Sequence, residues 1–239
     1  MHDIDETKRA WLVQALTAGF FAVGSMGILR PLWAMGKIPT QLLPGKSIYD
    51  MRGVVKVNGK AASMDTLIGS SALVETGASS YLIFAVGKDA FVLRDNSRLQ
   101  LGGQDIIRDM RLLSGKILSV FGKRDNKQGV AIKTVNATIG IRGTGIYVEA
   151  EPERSYVCTC YGEAELASIS DTKSREIVQT RYHDSPRFIL SGESAGKNIQ
   201  VAPMLNHTDD ELALIEALVG REVPFAIAGG YSVPRKSGY

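Results

Sequence analysis

Cysteine is scarce in this chain, with only Cys158 and Cys160 among 239 residues. So small a supply excludes a disulfide framework, and a chain of this length can bury a sufficient core without one. An excess of one charge sign is also missing. Twenty-eight Lys and Arg face 25 Asp and Glu, for a net +3. The basic residues are scattered and not interleaved with aromatics, so the footprint of a nucleic-acid binder is absent. Proline is modest at 8 and glycine abundant at 25, a balance that suits tight turns more than disorder. The catalytic patterns considered are weak. His183, Asp184 and Ser185 are neighbours in sequence, which does not arrange them for proton relay. Gly192–Lys197 has the wrong spacing for a phosphate loop, and Asn198 stands where a magnesium-binding hydroxyl belongs. The expectation is a non-enzymatic protein without a cofactor.

Long apolar runs are absent but for one. Residues 10–29 carry no charge, follow Lys8 and Arg9, and end at Arg30 and Pro31. About 20 helical residues at 1.5 Å each just span a bilayer core. Residues 1–34 therefore read as a signal peptide or a signal anchor, with a buried soluble helix as the bland alternative. Export follows from either of the first two readings. The protein is expected to be periplasmic, secreted or anchored to the inner membrane through residues 10–29. Residues 35–50, spaced by Pro39, Pro44 and Gly45, read as a linker.

Over residues 51–200 the pattern is β. Short apolar runs recur every 8 to 12 residues, among them Val54–Val57, Leu67–Ile68, Tyr81–Val86, Phe91–Leu93, Leu99–Leu101, Ile117–Phe121 and Val130–Val135. Turn signals such as Asn58-Gly59 and Asp95-Asn96 separate them. Lys123–Gly129 reads as a polar hairpin loop. A mainly β domain, roll-like or sandwich-like, fits this spacing better than βαβ units. In residues 201–225, Thr208-Asp209-Asp210-Glu211 spells a capping box. Leu212, Ile215, Leu218 and Val219 then supply an apolar face, and Gly220 supplies a stop. The expectation is a short C-terminal helix packed on the β-domain, with residues 226–239 as a tail.

The stretch Thr134–Ala150 alternates apolar and polar residues, breaks at Gly140-Ile141-Arg142-Gly143-Thr144-Gly145, and resumes. It resembles the closing signature of the FecR-type domain of bacterial envelope proteins, Thr-x-x-Ala-x-x-Gly-x-Arg-Gly-Thr. Thr134, Ala137, Gly140, Arg142, Gly143 and Thr144 occupy its positions. Earlier stretches, Gly53–Gly59, Leu67–Gly69, Val74–Ser80 and Ser97–Leu99, are similar in order, so the resemblance spans residues 53–150. It implies an exported β-domain that binds a protein or envelope ligand, with an envelope protein as partner and a part in signalling. The best-known members sense an outer-membrane transporter and regulate a sigma factor from a cytoplasmic region. Only about nine residues precede the apolar run here, so that regulatory role is not expected. Physically, Gly140 and Gly143 would permit a bend or a positive φ, and Arg142 could hydrogen-bond carbonyls at the corner.

One constellation could carry chemistry. On a strand, Cys158 and Cys160 point to the same face. They read as two small buried hydrophobes, as a strained and readily reduced disulfide, or as metal or haem ligands together with His183 and His207. Two cysteines and two histidines make a zinc ligand count, but their long spacing weakens the signal. His183 reads by default as part of a polar turn, and His207 as a packed or capping residue. No stoichiometric metal is expected.

Overall fold

The computed structural model describes residues 41–124, 129–192 and 195–225. The apolar run 10–29 and the tail 226–239 lie outside them. Among the described residues no helix is long and apolar enough to cross a membrane.

The chain is mainly β, as its pattern implies. Its strands are β1 (Ile48–Arg52), β2 (Val55–Val57), β3 (Lys60–Ala61), β4 (Leu73–Thr76), β5 (Tyr81–Val86), β6 (Asp89–Leu93) and β7 (Arg98–Gly103). There follow β8 (Ile107–Val120), β9 (Val130–Lys133), β10 (Ala137–Ala150), β11 (Arg154–Ser168), β12 (Arg175–Thr180), β13 (Arg187–Leu190) and β14 (Ile199–Val201). Helix α1 (Asp209–Leu218) closes the described chain. Strand β1 begins inside the stretch read as a linker, at Ile48, whereas Leu67–Ile68 forms no strand.

Three long strands, β8, β10 and β11, organise the sheet. The first half of β8 pairs with β7, and its second half pairs with β6 and β10. Strand β10 likewise pairs with β9 early and with β8 late, running beside β11 throughout. Strand β9 lies parallel to β8. Strands β8 and β9 therefore do not form the hairpin that Lys123–Gly129 reads as closing, because parallel neighbours cannot be joined by a tight turn; residues 125–128 lie outside the described ones.

The signature corner lies within one strand and not between two. The β10–β11 register slips between Arg142 and Ile146, which is a bulge. Gly143 adopts φ +61° there. A Cβ on Gly145 would sit 2.5 Å from a ring carbon of Tyr161. Gly140 has no such role, since it sits in regular register opposite Glu165 and Ala131. Nor does Arg142 cap carbonyls; its largely exposed side chain lies 3.6 Å from Glu163. Thr134 binds Ser155 Oγ at 2.7 Å and accepts the amide of Ala137, itself fully buried. Thr144 is also buried, with an unpartnered hydroxyl among the described residues.

Both faces of the central strands are covered, which is why their sequences read as near-continuous apolar runs. Leu82, Phe84, Phe91, Leu93, Ile117, Ile146, Val148 and Val157 point into one core. Their neighbours Ile83, Val92, Leu118, Tyr147, Tyr156, Cys158 and Cys160 point into a second. Helix α1 seals that second core with Leu212, Leu214, Ile215 and Leu218. Ten residues of helix are marginal alone in water, so capping and packing hold it. Thr208 and Glu211 close the capping box from both sides. The Arg94 guanidinium, just past β6, donates to both Glu211 carboxylate oxygens at 2.7 and 2.9 Å.

Candidate metal centre

Beneath α1, the second core holds four ligand-type side chains from three separate parts of the chain. Cys158 and Cys160 lie on β11, pointing to the same face as their spacing requires. His183 comes from the turn after β12, and His207 from the residue before the N-cap of α1. Their ligand atoms all lie within 4.8 Å of one another, and all four residues are buried. Cys158 Sγ is 3.5 Å from His183 Nδ1, and Cys160 Sγ is 3.5 Å from His207 Nε2. The two imidazole nitrogens are 3.1 Å apart.

These edges match a tetrahedron around zinc. Bonds of about 2.3 Å to sulfur and about 2.05 Å to nitrogen, at tetrahedral angles, give about 3.6 Å from sulfur to nitrogen and about 3.3 Å between nitrogens, within about 0.2 Å of the edges here. Two thiolates and two imidazoles are also the donor set zinc prefers. Four converging protein ligands suit a single tetrahedral ion better than a haem iron, whose porphyrin nitrogens leave it only axial protein ligands.

Left-handed backbone conformations aim both histidines. His183 itself has φ +47°, an uncommon conformation for such a residue. It is held there by its amide, which donates to the Cys160 carbonyl at 3.0 Å. Asn206 has φ +56° and turns the chain into His207. Its amide side chain donates to Glu149 at 2.7 Å, and its carbonyl accepts from Arg94 at 2.7 Å. Strain of this kind persists where the surroundings over-determine it, and it clusters at functional sites.

The outward nitrogens are fixed as well. His207 Nδ1 lies 2.6 Å from the Leu205 carbonyl, so Nε2 faces the sulfurs. The His207 ring stacks on Tyr147 with centroids 4.5 Å apart. His183 Nε2 lies 3.2 Å from Asp209, in ion-pair contact but not aligned as a hydrogen bond. Tyr182 in turn donates its hydroxyl to Asp209. A carbonyl and a carboxylate behind two imidazoles form the outer shell that metal-binding histidines carry.

Of the cysteines, Cys158 alone is tuned toward the thiolate that a metal takes. Burial alone raises the Cys158 thiol, but Cys160 and the two imidazoles outweigh it and hold the thiol well below its ordinary value. Burial, reinforced by the Cys158 charge, pushes Cys160 well above. Burial pulls His183 down, yet Asp209 and Cys158 lift it to about 9. A Cys158–His183–Asp209 line superficially resembles a nucleophile, base and orienting acid. Cys158 has 0% exposure, so no substrate reaches it in this conformation.

Other sequence candidates do not join the centre. Asp184 accepts from Thr180 in the turn, and Ser185 forms no relay with it. Gly192-Glu193-Ser194-Ala195-Gly196 also fits the Gly-x-Ser-x-Gly pattern. It lies between the antiparallel strands β13 and β14, not at the strand-to-helix turn that exposes such a serine. Among the residues missed from sequence are Asp209, which reads as a helix-dipole acid, and Leu205, which contributes only backbone.

No family model matches the chain, and no curated protein does. Two solved structures of a candidate anti-sigma factor from Parabacteroides distasonis ATCC 8503 align with part of the chain. They give TM-scores of 0.45 and 0.44 at 11% identity. The match covers 60% of this chain and 64% of theirs, less than two thirds of their length. The FecR-type resemblance of residues 53–150 therefore stands on its motif.

Proposed function

We propose that this protein binds one zinc ion in a closed centre formed by Cys158, Cys160, His183 and His207. The observation that carries this reading is the close match between the sulfur–nitrogen and nitrogen–nitrogen edges and a tetrahedral site. It replaces the expectation of no metal drawn from the long spacing of these residues. With four protein ligands and no open position, the centre is structural or regulatory, not catalytic. The protein is thus a non-enzymatic β-domain whose metal joins sheet and helix. The apolar run 10–29 and the FecR-type resemblance support an exported setting, periplasmic, secreted or held at the inner membrane, with an envelope protein as partner and a part in signalling.

Metal analysis of protein purified without added chelator tests the centre. One equivalent of zinc, lost in Cys158→Ser, is the expected result. Absence of stoichiometric metal after reconstitution with zinc under reducing conditions would overturn it. Fractionation tests the setting, and recovery in the cytoplasm would refute export.

A further inference from the structure

We propose that occupancy of the metal centre governs how the chain is held where it enters the domain at residues 41–43, with α1 as the connecting element. The proposal rests on the zinc-binding reading above. At the N-terminal end of α1, His207, Thr208 and Asp209 are consecutive. They serve as ligand, N-cap and outer-shell partner of His183 respectively. The first turn of the helix is thereby built into the centre.

The other end of α1 holds the entering segment. The last carbonyls of a helix have no partner within it. Here the Leu218 carbonyl accepts the Leu42 amide at 3.0 Å. The Leu42 side chain packs into the second core alongside Leu218. The Gln41 side chain lies against Gly220, 3.3 Å from where a Cβ would stand. Ten helical residues span about 15 Å, so one short rigid element bridges the centre and the entry point.

Metal loss would loosen this link without unfolding the sheet. The capping box and the Arg94–Glu211 pair remain, and they keep α1 near its seat. But Arg94 also donates to the Asn206 carbonyl in the loop that delivers His207. Freeing His207 thus disturbs one of the anchors of the helix. The β4–β7 pairing involves no ligand and packs into the first core, away from α1. Residues 1–40, including the apolar run, join the domain at the point affected. The centre is therefore placed to report metal occupancy to the N-terminal segment.

Hydrogen exchange on the full-length protein tests this, comparing zinc-loaded protein with protein treated with chelator. The expected result is exchange at least tenfold faster at the Leu42 amide and along α1 after zinc removal. The Leu101 amide, which donates to Ala72, and the β4–β7 amides serve as references in the first core and should be unchanged. Cys158→Ser with zinc present should reproduce the chelated pattern. Should that variant lose protection at the reference amides as well, the chelator comparison alone decides. One equivalent of bound zinc with Leu42 exchange unaltered by its removal would overturn the coupling while leaving the centre intact. Failure to bind zinc at all would overturn the centre itself.

Discussion

The backbone carbonyl of Leu205 lies 2.6 Å from Nδ1 of His207, and this contact selects the nitrogen that faces the sulfurs. Asp209 plays the matching part behind His183. Outer-shell partners of this kind are worth about 10–100-fold in metal affinity. Asp209→Asn should therefore weaken zinc binding by about that factor, measured by competition with a chromophoric chelator. The helix should persist, because loss of one first-turn charge costs only about 0.3–1 kcal/mol. Unchanged affinity would show that Asp209 serves the helix alone.

Zinc should also stabilise the fold. A ligand that binds only the native state contributes about 4 kcal/mol when present at a thousand times its dissociation constant. Thermal unfolding with and without chelator should show a marked fall in Tm on zinc removal. Cys158→Ser should abolish this zinc dependence. A Tm indifferent to chelator in a protein shown to hold zinc would contradict the role of the metal in joining sheet and helix.

Much of this molecule is legible from its sequence, and the reason lies in range. Cys158 and Cys160 share a face because strand side chains alternate with period two. Helix α1 is legible because a capping box and an apolar face lie within a dozen residues. His183 and His207 reach their sulfur partners across separations of 25 and 47 residues. Those meetings depend on the course of β12 and on the docking of α1, which no local spacing encodes. The parallel placement of β9 beside β8 is hidden for the same reason. A polar, turn-rich segment looks alike whether the strands it joins lie antiparallel or parallel.

The glycines of the bulge differ in what they tolerate. A Cβ at Gly145 would meet the Tyr161 ring at 2.5 Å, and overpacking of this kind costs about 1–3 kcal/mol. Gly143 faces open space but holds φ +61°, so Gly143→Ala costs about 1 kcal/mol or more through backbone strain. At Gly140 the nearest atom would be an ordinary 3.7 Å away. Denaturant titrations should therefore rank Gly145→Ala as more damaging than Gly143→Ala, and Gly140→Ala as nearly neutral. Equal damage at Gly140 would mean that this position is tighter in the folded domain than its 3.7 Å clearance implies.

Arg94 and Glu211 are nearly buried, at 10% and 9% side-chain exposure, so each depends on the other for its charge. Arg94→Met would leave the Glu211 carboxylate buried without its partner, a loss of about 3–5 kcal/mol for pairs of this type. Glu211 cannot simply relocate, because it also accepts the Thr208 amide in the capping box. The double variant Arg94→Met with Glu211→Gln removes the stranded charge while keeping an acceptor for that amide. Urea denaturation of the zinc-loaded proteins should show the double variant less destabilised than Arg94→Met alone. Strict additivity would mean that the pair acts through packing and not through charge. Both variants lose the Arg94 contact to the Asn206 carbonyl. Zinc affinity should therefore fall similarly in the two, separating the role of Arg94 in holding the His207 loop from its role in neutralising Glu211.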